Sequence, residues 1–157
     1  MSHIMARTED IPQPTRDAVE SISCPTYDTT PFVAGPPLAH RRIAILSSAA
    51  LIRRGDAPFP FGSGECRFLP AALPTGDLLI SHVSINFDRA GFQRDVNVVY
   101  PIDRLRELAA EGVIGGVADT HYTVMGSTDP ASMTDAVAQI AGQLRQERID
   151  SVLLSPV

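Results

Sequence analysis

The chain has 157 residues, a formal net charge of −5, 44% hydrophobic and 20% charged residues, which suits one soluble α/β domain around one core. With no run of Lys or Arg it lacks the basic patch that nucleic-acid binding needs. Its longest apolar runs fall far short of the ~20 residues that span a bilayer.

Met1-Ser2-His3-Ile4-Met5 reads as a tag remnant ahead of a second start methionine. The polar N-terminus, with Pro12 and Pro14, has no signal-peptide core, which places the chain in the cytoplasm. Residues 6–40 carry Pro12, Pro14, Pro25, Pro31, Pro36 and Pro37. Each proline fixes φ and biases its predecessor to extended geometry. Residues 1–40 therefore read as the remnant plus an extended arm, with a short helix over 15–22. The arm either wraps a surface or links to a partner. Cys24 and Cys66 form no CxxC and have no His or Cys at ligand spacing, so neither a disulfide framework nor a zinc or other metal signature is present. Cys66 reads as a small buried hydrophobe.

The α/β domain is expected over 41–157. Ile43-Ala44-Ile45-Leu46, ending in Ser47-Ser48, reads as a buried strand. The Gly- and Pro-rich stretch 53–64 is loop. Short strands are expected at 66–69 and 78–80. Residues 81–100 interleave His82, Asn86, Asp88, Arg89, Arg94, Asp95 and Asn97 with Phe87, Phe92 and Val96. They follow neither period, so this segment is either a solvated loop or the place where function sits. Pro101 opens a helix whose stripe is Ile102, Leu105, Leu108 and Ala109, and Gly112 stops it. Residues 113–118 read as a strand. Asp129 and Pro130 open a second helix with the stripe Met133, Ala136, Val137, Ile140, Ala141 and Leu144. Residues 151–154 form a last strand.

This alternation predicts a mostly parallel sheet flanked by helices, doubly wound and Rossmann- or flavodoxin-like, incomplete at the C-terminus. Ligands of such sheets bind beyond the carboxyl ends of the strands. Ser47, Ser48, Asp119, Thr120, His121 and Ser155 are expected on that edge. The amides of Met125-Gly126-Ser127 either bind an anion or make a plain turn into the helix. Asp95 and Asn97 either serve a site or cap turns.

Several of these residues carry a resemblance. Ser81-His82, Asp88, Asp95, Asn97, Pro101-Ile102-Asp103, Leu108, Glu111-Gly112, Ile114, Met125-Gly126 and Asp150-Ser151-Val152-Leu153-Leu154, with Arg67 and Pro70, resemble the selenoprotein B subunits of the glycine/sarcosine/betaine and D-proline reductases. The resemblance covers residues 41–157. It implies a reductase subunit that cleaves the C–N bond of a small amino acid or N-methylated derivative. It implies a selenocysteine in the full-length protein just after Val157, a pyruvoyl group on a partner subunit and a dithiol electron donor. An incomplete sheet leaves an uncovered apolar face or an unpaired edge, so a homo-oligomer is expected. On that reading the chain is a truncated portion without its redox residue, and no cofactor resides in it. His82 is then the catalytic candidate, either as proton donor to the leaving amine or as a group that orients the carboxylate. Asp88, Asp95, His121, Ser47, Ser48 and Gly126 are the substrate-binding candidates. The competing expectation is a non-catalytic α/β module that binds a protein partner through the arm.

Overall fold

The computed structural model describes residues 8–21, 26, 28–30, 32–84 and 89–157. It falls into two compact units, Met1–Pro31 and Phe32–Val157. In the first, a 3-10 turn at Thr8–Asp10 precedes helix α1, Gln13–Glu20. The helix starts two residues before the expected 15–22 because Pro14 fits the first turn, where its missing N–H has no intrahelical partner. Arg16 donates to the carbonyls of Glu9 and Ile11 at 2.9 and 3.1 Å, closing the entry to the helix.

The second unit is built on β1, Arg42–Ser47. It contains β2 (Leu51–Arg53), β3 (Cys66–Pro70), β4 (Leu78–Ile80), α2 (Ala90–Arg94), α3 (Ile102–Ala110), β5 (Gly116–Val117), β6 (Thr120–Val124), α4 (Thr134–Gln146) and β7 (Ser151–Ser155). Strand β7 runs parallel to β1 on one side, from Ile43↔Ser151 to Ser47↔Ser155. On the other side β5 and β6 pair with β1 in succession, also parallel. Strand β3 closes the far edge antiparallel to β6, from Cys66↔Val124 to Pro70↔Thr120. The main sheet is therefore mixed, and α/β is the class it supports.

Alternate residues of β1 point to opposite faces. Ile43 and Ile45 pack with Ile102, Leu105 and Leu108 of α3. Ala44 and Leu46 pack with Tyr122, Ile140 and Leu144, so α4 covers the other face. Helix α3 starts and stops where its sequence indicates, whereas α4 begins at Thr134, after a 3-10 turn occupies the expected opening at Pro130–Met133. Gly112, at φ +73, donates to the Ala109 carbonyl, and Val113 donates to that of Leu108. Asp129 accepts from Ala131 N at 2.9 Å, capping the 3-10 turn Pro130–Met133 that feeds α4. Val137, expected in the α4 stripe, is 59% exposed instead; Ala136 and Ile140 carry the buried contact.

Two expectations are corrected. The strand 78–80 does not join the main sheet: it pairs antiparallel with β2, which lies in a segment with no strand expected. The strand expected at 113–118 is only Gly116–Val117, and the chain pairs with β1 again from Thr120 to Val124. Two extra residues are accommodated between these segments, since Ile43 faces Val117 while Leu46 faces Tyr122. This is a bulge. The carboxyl end of that strand therefore lies at Val124–Gly126, not at Asp119–His121.

Candidate functional site

The carboxyl ends of β1, β6 and β7 converge on Ser48. Its N–H donates to the Ser155 carbonyl at 3.1 Å, its carbonyl accepts from Gly126 N at 3.0 Å, and its Oγ accepts from Val157 N at 2.8 Å. Ser47, fully buried, uses its Oγ to accept from Ala49 N at 3.2 Å, which bends the chain out of the sheet. Ala50 completes that bend in the left-handed region, at φ 51. Such a conformation costs an L-residue about 1–2 kcal/mol. It is fixed by bonds from Ala50 N to the Val124 carbonyl and from Ser81 N to the Ala50 carbonyl.

The second of those bonds brings in His82. Ser81 leaves β4, donates to Ala50, and accepts from Phe59 N at 2.8 Å. The next residue, His82, is 5% exposed. Its Nδ1 accepts from Ser84 N at 3.2 Å, and Arg89 donates to its carbonyl at 2.7 Å. With Nδ1 accepting, the neutral ring carries its proton on Nε2. Burial, and then the Arg89 charge, hold the imidazole below its ordinary value of 6.5. Gly126 sits against this ring: a Cβ there would lie 2.9 Å from the Ser48 carbonyl and 3.1 Å from His82 Nε2. Glycine is what permits the close approach. Beside Ser48, an apolar hollow of about 140 Å³ is lined by Leu46, Val124, Leu154, Ser155 and Pro156.

The structure thus brings together His82, Ser48 and Gly126, with Ser47 directly behind Ser48. His121 lies elsewhere, because the bulge moves it into the middle of the sheet. It is fully buried, and its Nδ1 accepts from Ile45 N at 3.0 Å, taking the place of a carbonyl in the ladder. Its ring meets Tyr100 edge-on at 5.5 Å. Burial pushes it down to about 4. Glu147 completes the bulge by accepting from the N–H groups of Asp119 and Thr120, both at 3.2 Å.

Asp95 caps a 3-10 turn, accepting from Asn97 N and Nδ2 at 2.9 and 2.8 Å, and these bonds hold its carboxyl below the usual range. It borders a surface cleft of about 370 Å³ with Arg94, Asn97 and Asp103. Among the described residues no hydrogen bond links it to His82. Asp88 and Cys24 lie outside the described residues. Cys66 is half-buried at the β3 edge, its Sγ 3.7 Å from the Ala136 carbonyl, and burial raises its thiol above the ordinary value of 9.0. Among the described residues no three His, Cys, Asp or Glu side chains are grouped to hold a metal ion, and no helix is long and apolar enough to cross a membrane.

Sequence reasoning assigned no role to Arg89, to the Ser84 N–H or to the hollow. The charge of Arg89 within a polar segment was the available signal, but its target is set by the turn.

Residues 76–157 match the model of the family described as glycine/sarcosine/betaine reductase selenoprotein B. The chain is 30% identical over 116 residues to the D-proline reductase subunit gamma of Acetoanaerobium sticklandii, covering 72% of this chain and 47% of that one. It is 28% identical over 139 residues to the glycine reductase complex component B subunit gamma of Symbiobacterium thermophilum, covering 83% and 32%. It is 32% identical over 74 residues to the betaine reductase complex component B subunit beta of Peptoclostridium acidaminophilum, covering 46% and 17%. The chain spans less than half the length of each of these relatives. No solved structure matches.

Proposed function

Because the chain belongs to the glycine/sarcosine/betaine reductase selenoprotein B family, we propose that its Ser48–Gly126–His82 edge holds the carboxylate of a small amino acid or N-methylated derivative within a reductase complex that cleaves the substrate's C–N bond. The observation that carries this reading is the close approach of His82 Nε2 to Gly126, which itself bonds to Ser48 where three parallel strands end. That is the position at which open α/β sheets take ligands.

The state of His82 favours one of its two candidate roles. A general acid for the leaving amine would have to be the imidazolium near neutral pH. Protonating Nδ1 would set an N–H against the Ser84 N–H that now points at it. Burial opposes the same change. A neutral ring with a proton on Nε2 is instead a hydrogen-bond donor to an anion, so His82 orients the carboxylate. A bond of this kind to a charged group contributes roughly 1.5–3 kcal/mol.

The hollow beside Ser48 has the apolar lining and small volume that suit methyl or ring methylene groups. Cys66, half-buried with a raised thiol, does not fit the role of nucleophile. A selenol or thiol supplied by the longer parent protein would bring the nucleophilic chemistry, and a pyruvoyl group on a partner subunit would hold the substrate amine. Reductive cleavage takes two electrons, which a dithiol donor provides by becoming a disulfide.

The test assembles the full-length parent with its partner subunit and a dithiol, and measures amine release from glycine, sarcosine, betaine and D-proline. Dithiol-dependent release from one of them supports the proposal; no release from any of them overturns it. A second reading, a non-catalytic module that holds a partner through its arm, draws on Phe32 and Val33, each 86% exposed. It predicts that Phe32→Ser with Val33→Ser abolishes partner capture while His82 variants leave partner capture unchanged.

A further inference from the structure

The turn that carries His82 is clamped from outside. One nitrogen of the Arg89 guanidinium donates to the His82 carbonyl at 2.7 Å and to the Ser84 carbonyl at 3.4 Å. Those two carbonyls belong to the residues joined by the bond from Ser84 N to His82 Nδ1. Fixing both carbonyls fixes the orientation of the intervening peptides, and with it the aim of the Ser84 N–H. On the other side of the ring, Gly126 and the backbone of Ser48 are uncharged. Among the described residues Arg89 is the charged group that acts on His82.

We infer that Arg89 is a positioning residue: by holding the 82–84 turn it keeps the Nδ1 of His82 as acceptor and its Nε2–H directed at the Ser48–Gly126 edge. Both bonds come from one terminal nitrogen held at the end of a rigid planar guanidinium, whereas a lysine ammonium sits on a shorter reach and a flexible stem that does not fix its position. Charge and geometry can therefore be separated. Arg89→Lys keeps the positive charge near the ring and loses the clamp. Arg89→Met loses both. The relevance of this to turnover rests on the carboxylate reading above, but the geometry does not, and the experiment reads the geometry without turnover.

The measurement is long-range proton–nitrogen NMR of the histidine rings in the 157-residue chain, with His82 assigned by comparison with His82→Asn. The wild-type ring should show Nδ1 as the lone-pair nitrogen and Nε2 as the protonated one, titrating below 6.5. In Arg89→Lys the contrast between the two nitrogens should shrink while the titration stays low. In Arg89→Met the contrast should shrink and the midpoint should rise toward 6.5. His121, whose Nδ1 is held by Ile45 N in the sheet interior, is the internal control for folding and should keep its wild-type signals in both variants. A wild-type ring protonated on Nδ1, or an unchanged nitrogen contrast in both variants, would overturn the inference. Should the nitrogen pattern hold while the assembled reductase shows no activity, the functional reading fails and the positioning role stands.

Discussion

Two buried histidines, one inside the main sheet and one in a turn beside its carboxyl edge, each use Nδ1 to accept a backbone N–H. At the bulge, His121 accepts from Ile45 N between strands, with Tyr100 against its ring. At the carboxyl edge, His82 accepts from Ser84 N within its own turn, with Gly126 against Nε2. The local chemistry is the same and the placement differs. His121 replaces a missing ladder partner, so its contribution is to stability. His82 replaces nothing in the sheet; its buried Nε2 lies against Gly126, where strands end, and the role proposed for it is in binding.

The largest expected effect falls on the bulge. His121→Ala strips a buried N–H of its acceptor and leaves a cavity, and should destabilise the chain by about 3 kcal/mol in urea unfolding. His82→Ala, whose lost bond is local, should cost about 1 kcal/mol. Equal losses would erase the distinction between the two regions.

The pH dependence separates them next. The folded value of His121 is depressed to about 4 from 6.5. Between these values the unfolded chain binds the extra proton, so this stabilisation is complete above pH 6.5 and is lost as pH falls toward 4. Linkage puts the loss at roughly 3 kcal/mol. His121→Gln should flatten the stability profile in that window relative to wild type, and a profile unchanged by the substitution would contradict the assignment.

How much of this could be read from the residues follows the same division. The strand Ile43–Leu46, the helix stopped by Gly112 and the helix announced by Asp129 depend on neighbours in sequence, and they were legible. The bulge was not, because its unpaired groups are satisfied by Glu147 and by the imidazole of His121, partners that only the fold brings together. The Thr120–Val124 run is β-branched and aromatic, a strand signal that the polar Asp119-Thr120-His121 obscured. Strand β2 escaped notice because it is three residues long and ends in an exposed arginine. At the candidate site, His82, Ser48 and Gly126 stood out as residue types. The tautomer of His82 and the reach of Arg89 are properties of a turn with no periodic signature.

A smaller effect sharpens the carboxyl edge itself. Gly126→Ala places a Cβ 2.9 Å from the Ser48 carbonyl and 3.1 Å from His82 Nε2. Relief should cost about 1–2 kcal/mol and should shift the His82 ring signals while leaving those of His121 in place. Smaller still is the edge strand β7, whose Leu153 and Leu154 are 40% and 64% exposed. An edge of this kind invites pairing. The chain should self-associate in light scattering at high concentration, and Leu154→Lys should make it monomeric. A wild-type chain that is already monomeric would remove this surface from the account.

The central claim is that the carboxyl edge, and not the bulge, meets the substrate. It is tested most directly by the steady-state kinetics of His82→Asn in the assembled full-length reductase. The account predicts a fall of about 10- to 100-fold in kcat/KM, carried mainly by KM, as loss of one bond to a carboxylate requires. An unchanged kcat/KM in a variant that assembles normally would contradict it.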